Sequence, residues 1–204
     1  ITPWGTYLTC EENFVNYFKG PDQPDAHQAR WGLRKGDPAG YRWHEHDERF
    51  DAGKHPNELN RHGWVVEIDP NNPSSTRVKR TALGRIKHEN AAQTLAKDKR
   101  VVVYMGDDQA NDYVYKFVSD GKYVADNQRA NVNLLESGTL YVARFGAGAT
   151  VGDMMGTGEW VALVPSTPIA GSTPTIDTLQ RLAVGTITSW KQLLTTVAPV
   201  AASD

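Results

Sequence analysis

Cys10, Glu11 and Glu12 set a soft sulfur donor directly beside two hard carboxylates near the start of the chain. A thiolate suits iron or zinc, whereas carboxylate and amide oxygens suit calcium, so the trio reads either as a mixed metal centre or as a chance neighbourhood. A lone cysteine, taken by itself, is more often a small buried hydrophobe than a ligand. A second acidic stretch, Gly106-Asp107-Asp108-Gln109-Ala110-Asn111-Asp112, offers anionic and amide oxygens at a strand end, as a calcium loop does, although without EF-hand spacing. The competing reading is a hairpin loop whose Asp and Asn side chains cap their own backbone. His88-Glu89 has the form of a metal dyad, but Ala92 stands where a zinc-protease helix needs its second histidine, and that reading fails. His44-Glu45-His46-Asp47-Glu48 reads as a solvated loop, and His27, His55 and His62 have no ligand spacing.

Strands must position these groups. Gly5 to Cys10 reads as one. Alternation of side chains puts Cys10 and Glu12 on one side and Glu11 on the other, unless the strand ends at Cys10 and the backbone turns, as a metal centre would favour. From Phe14 to Asn60 the sequence is polar and aromatic with no sustained period, and is expected to be a long excursion with a short helical turn near Asp25 to Arg30. Gly63 to Asp69 is a strand closed by the turn Asp69-Pro70-Asn71-Asn72-Pro73, and Thr76 to Leu83 is its hairpin partner. Val101 to Met105 is a short β-branched apolar run whose neighbour, across the acidic loop, is Tyr113 to Val118. Leu140 to Phe145 and Trp160 to Leu163 continue the pattern. The spacing implies an antiparallel all-β architecture of sandwich, barrel or propeller type, and no internal repeat selects among them. Beyond residue 172 the apolar spacing of Ile176, Leu179 and Leu182 predicts a helical and loop tail to residue 204. In such folds functional groups gather on loops at one face, which makes Cys10, Glu11, Glu12, Glu89, Asp107 and Asp108 the candidates. The default for any carboxylate is nevertheless solvent.

A chain of 204 residues can bury one sizeable core. Its formal charge of −2 offers no basic surface for nucleic acid or an anionic membrane. Apolar runs stay short of the roughly 18 residues that mark a membrane-spanning helix. A single cysteine excludes an intrachain disulfide. There is no P-loop, no Gly-x-Gly-x-x-Gly opening a helix and no Gly-x-Ser-x-Gly elbow, so serine and phosphate-cradle mechanisms have no support. The opening Ile1-Thr2-Pro3 has neither an initiator Met nor a signal-peptide pattern, which suggests a fragment or a processed start.

Several stretches together are similar to one family: Thr2 to Asn13, His62 to Pro70, Gly84 to Ala92, Val103 to Asp108 leading into Tyr113 to Ser119, and Gly138 to Phe145. They resemble the PhoX alkaline phosphatases, secreted calcium-dependent phosphatases that also carry iron, and the likeness extends over most of the chain. The resemblance implies a six-bladed β-propeller with calcium and iron clustered near its axis, hydrolysing phosphate monoesters in the periplasm or beyond. It implies Cys10 as an iron-binding thiolate, Glu11 and Glu89 as carboxylates of the cluster, and Asp107 and Asp108 as further metal ligands. Asn90 departs from the pattern, where a smaller residue is expected after the His-Glu pair. Other family ligands fall before Ile1 and after Asp204. Residues 1–204 are therefore expected to be the middle of a single propeller domain, inactive alone, whose open strand edges meet the remainder of the same protein or another copy. The rival reading is a non-catalytic propeller domain that binds a partner or a structural cation. A third, a calcium-dependent lactonase or phytase-like propeller, would lack iron.

Overall fold

The computed structural model describes residues 1–36, 40–110, 112–146 and 156–164 as two antiparallel sheets. The first has strand order β1 (Tyr7–Cys10), β2 (Val65–Ile68), β3 (Val78–Lys79). Its register runs from Tyr7 opposite Ile68 to Cys10 opposite Val65. The second is a five-stranded meander of β4 (Ala92–Leu95), β5 (Arg100–Gly106), β6 (Val114–Lys122), β7 (Gly138–Phe145) and β8 (Gly158–Ala162). The expected hairpins are present, but the partner of β2, expected over Thr76 to Leu83, is cut to two residues because Thr81–Leu83 turns into a 3-10 helix. The strand β4 was not expected, because Ala92-Gln93-Thr94-Leu95 lacks the β-branched, alternating signature. It forms by pairing with β5, Ala92 opposite Tyr104 and Leu95 opposite Val101. The expected helices beyond residue 172 lie outside the described residues.

Period-2 alternation decides which residues reach the core. Val101, Val103 and Met105 of β5, Tyr115 and Phe117 of β6, and Leu140 and Val142 of β7 point inward, where they meet Trp4, Val65, Leu83 and Ile86 in one cluster. Each fully buried apolar side chain of this size contributes roughly 1.5–3 kcal/mol relative to exposure. Both sheets thus share a core.

The excursion between β1 and β2 is more ordered than its lack of period suggests. Asp25 caps α1 (Ala26–Arg30) in a capping box with Gln28, at the place where a short helical turn is expected. Short 3-10 turns then fold Phe14, Phe18, Trp31, Leu33, Phe50 and Leu59 into a second apolar cluster. Turns of this kind leave no repeating spacing in the sequence. Arg85, fully buried, joins this cluster to the sheets. Its Nε donates to the His62 carbonyl at 2.7 Å and its Nη2 to the Leu59 carbonyl at 2.9 Å, while the guanidinium lies 4.4 Å from the Trp31 ring centroid. Burial lowers its pKa to about 10.

A buried charge pair crosses the first sheet. Glu67 of β2 accepts from Trp4 Nε1 at 2.8 Å, from the Thr6 hydroxyl and from Arg80 Nε at 2.6 Å. Arg80 continues outward to Glu136 and to the Val132 carbonyl, on the connection that follows α2 (Gln128–Asn131) and leads into β7. Arg80→Ala would strand the Glu67 carboxylate, which is 5% exposed, and should lower unfolding free energy by about 3–5 kcal/mol in urea titration; an unchanged midpoint would show the pair to be dispensable. At Gly63, with φ of +96°, a Cβ would sit 2.8 Å from Phe14 Cε1 and 3.2 Å from Arg85 Cγ. Gly63→Ala should therefore cost about 1–3 kcal/mol by the same measurement, and a neutral result would refute the packing argument.

Candidate functional site

β1 ends at Cys10, but the extended path continues for one more residue, since Glu11 N still donates to the Trp64 carbonyl at 3.1 Å. Alternation therefore persists, and the turn at Cys10 that a metal centre would favour is not formed. Glu11 faces one way: its Oε2 accepts from the Gly63 and Trp64 amides, both at 3.0 Å, and its Oε1 from Lys79 Nζ at 2.7 Å. Cys10 and Glu12 face the other.

The half-buried Cys10 thiol has its pKa pushed up to about 11, by burial first and then by the Glu12 carboxylate. The Glu12 carboxyl is itself raised, chiefly by a hydrogen bond shared with Asp108, with burial and the charges of Asp108 and Glu89 adding to it. Glu12 Oε1 also accepts from Asn13 Nδ2 at 2.7 Å. Glu12 thus has Cys10, Asp108 and Glu89, from three separate segments, near enough to act on it or to be acted on by it. Crowded acids of this kind gain from a nearby cation, and their mixture of sulfur and oxygen fits a centre that takes both a soft and a hard ion. Among the described residues no three His, Cys, Asp or Glu side chains converge tightly enough to hold a metal ion by themselves.

The other two candidates sit deeper in the scaffold. His88 and Asp107 form an antiparallel bridge that extends the β4–β5 edge. Asp107 Oδ1 accepts from the Lys87 amide at 3.2 Å, and Asp108 N donates to the Lys87 carbonyl at 3.0 Å. Asp107 thus caps the backbone of another segment rather than of its own loop, while Asp108 is exposed toward Glu12. His88 is fully buried. Because a carbonyl only accepts, its Nε2 carries the proton donated to Gly84 at 2.9 Å; its Nδ1 has no hydrogen-bond partner among the described residues, and burial lowers its pKa to about 4. The sequence gives no sign of the Glu12 to Asp108 contact beyond the alternation rule, nor of Lys79 as the partner of Glu11, since both join residues far apart in the chain.

No helix among the described residues is long and apolar enough to cross a membrane. A family model described as alkaline phosphatase PhoX matches residues 1–195. Among solved structures the chain is similar to Pseudomonas fluorescens PhoX in complex with vanadate, a transition state analogue, with 54% sequence identity and a TM-score of 0.72 over 79% of this chain. The match takes in 28% of that longer chain, so this sequence spans under a third of its structural relative. No curated protein matches. The two sheets, with their antiparallel order and common core, are blades of a partial β-propeller. From residue 1 through residue 195, the chain belongs to the PhoX alkaline phosphatase family.

Proposed function

We propose that this chain forms part of a secreted or periplasmic metal-dependent phosphomonoesterase, and that Cys10, Glu11, Glu12, Glu89, Asp107 and Asp108 contribute to a calcium and iron centre. The observation that carries the reading is the contact of Glu12 with Asp108, with Glu89 and the Cys10 thiol close enough to interact with Glu12. Family membership over nearly the whole chain supports it.

Each residue has a distinct task. Cys10 supplies the soft donor and Glu12, Glu89 and Asp108 the hard ones. Glu11 and Asp107 enter the set through the family resemblance; each also anchors backbone, Glu11 by holding Gly63 and Trp64 and Asp107 by holding Lys87. When bound, calcium and iron would supply Lewis-acid charge neutralisation at a phosphate monoester. The acids then lose their mutual repulsion, and Cys10 must give up its proton, so assembly of the centre releases protons. The remaining donors come from outside the described residues, and the chain alone is proposed to be inactive. Its outer strands would be covered by the rest of a longer protein, or by a second copy along the open edges.

The complete gene product, supplied with calcium and iron, should hydrolyse p-nitrophenyl phosphate; no turnover of any phosphomonoester would sink the proposal. In that protein Cys10→Ala should cut bound iron and turnover by at least about tenfold while the far-ultraviolet circular dichroism spectrum stays unchanged. Unaltered iron content together with a lowered melting temperature would instead make Cys10 a structural thiol and favour a non-catalytic domain.

A further inference from the structure

The acidic loop between β5 and β6 is gripped by one residue outside the ligand set. Lys87 bonds three consecutive positions of that loop: its amide donates to Asp107 Oδ1 at 3.2 Å, its carbonyl accepts from the Asp108 amide at 3.0 Å, and its Nζ donates to Gln109 Oε1 at 2.7 Å. Lys87 is itself held still. Ile86 and His88 on either side are buried; the Ile86 amide donates to the Gly63 carbonyl at 3.1 Å, and the His88 ring donates to the Gly84 carbonyl. The loop is closed again where the Asp112 amide donates to the Gln109 carbonyl at 3.0 Å, so Gln109 is pinned through both backbone and side chain.

The partner of the ammonium group is informative. Among the described residues Lys19, Lys54 and Lys79 pair with carboxylates, whereas Lys87, set against Asp107 and Asp108, forms no ion pair. Its charge goes instead to a neutral amide oxygen, which faces it because an ammonium only donates. A carboxylate tied to lysine has a competing cation in place; Asp108 has none there. It stays exposed, with its backbone fixed on Lys87 and its carboxyl sharing a hydrogen bond with Glu12.

We propose that Lys87 and Gln109 form a clamp that positions Asp108 for calcium, Lys87 acting as a positioning residue and not as a ligand; the inference rests on the metal-centre reading above. Calcium takes hard oxygen donors, so the clamp acts on calcium and not on the ion held by the Cys10 thiolate. Removing a group that orients a metal ligand typically costs about 10–100-fold in metal affinity.

The test dialyses the complete protein against buffers of stepped free calcium and measures retained calcium and iron by atomic emission. Gln109→Ala, which keeps the Lys87 charge, should raise the free calcium needed for half-retention about tenfold. Lys87→Met should do the same, and the double variant should be no weaker than either single one, since each removes the same contact. Bound iron should stay at the parent level throughout. Unchanged calcium retention in Gln109→Ala, or additive effects of the two substitutions, overturns the clamp. So does tighter calcium in Lys87→Met, the result expected of a lysine that only repels cations. Loss of iron together with calcium assigns Lys87 to folding and also overturns it. A parent that holds no calcium at any concentration fails the metal-centre reading and takes the clamp with it, whereas a parent that holds calcium beside unaffected variants fails the clamp alone.

Discussion

The buried Glu67–Arg80 pair is the constraint on which the architecture turns. Taking two charges out of water costs several kcal/mol per ion unless each finds full hydrogen bonding, and here both do. Glu67 accepts from Trp4, Thr6 and Arg80, and Arg80 spends its other donors on Glu136 and the Val132 carbonyl. The segment before β1, the middle strand of the first sheet and the approach to β7 are thereby tied to one point. The apolar core between the sheets would hold many relative placements about equally well; directional bonds to a buried charge hold one. That single placement brings the ends of β1 and of the β5–β6 loop together, so that Glu12 meets Asp108.

Glu11 and Arg85 extend the same logic into the excursion. Glu11 fastens the Gly63-Trp64 amides and Lys79, whereas Arg85 fastens the Leu59 and His62 carbonyls beneath Trp31. A long polar segment is thus clamped at its return point by one buried cation and one half-buried anion. With Glu11 turned to that task, its neighbours Cys10 and Glu12 are free to face the acidic loop.

What could be read from the residues alone depended on range. The strands β2, β5, β6 and β7 are visible because inward residues such as Val101, Val103 and Met105 alternate with outward ones, a local pattern. The short helical turn near Asp25 to Arg30 is visible too. The strand β4 is not, since its four residues owe their conformation to β5. The aromatic cluster around Phe14, Trp31 and Phe50 is not either, because irregular turns leave no period. Within the candidate site the individual acids were legible from residue type, but their grouping was not: Glu12 and Asp108 are joined only through tertiary packing, and Glu11 was separated from Cys10 by alternation rather than gathered with it by a turn.

The pairing of Tyr7 with Ile68 has a kinetic consequence. The five-stranded meander closes through neighbouring strands, whereas the first sheet must bring β1 to β2 across the whole excursion, at a loop-closure cost about 2 kcal/mol above that of a short hairpin. Contacts distant in sequence form late, so the meander becomes the nucleus and β1 the last strand to dock. Amide protons of Leu8 and Thr9 should then gain protection after those of Val102 and Val103 in pulse-labelled refolding, and simultaneous protection would contradict that order. On a ribosome, β1 with Cys10 emerges before the meander and must wait for β2 to follow the whole excursion.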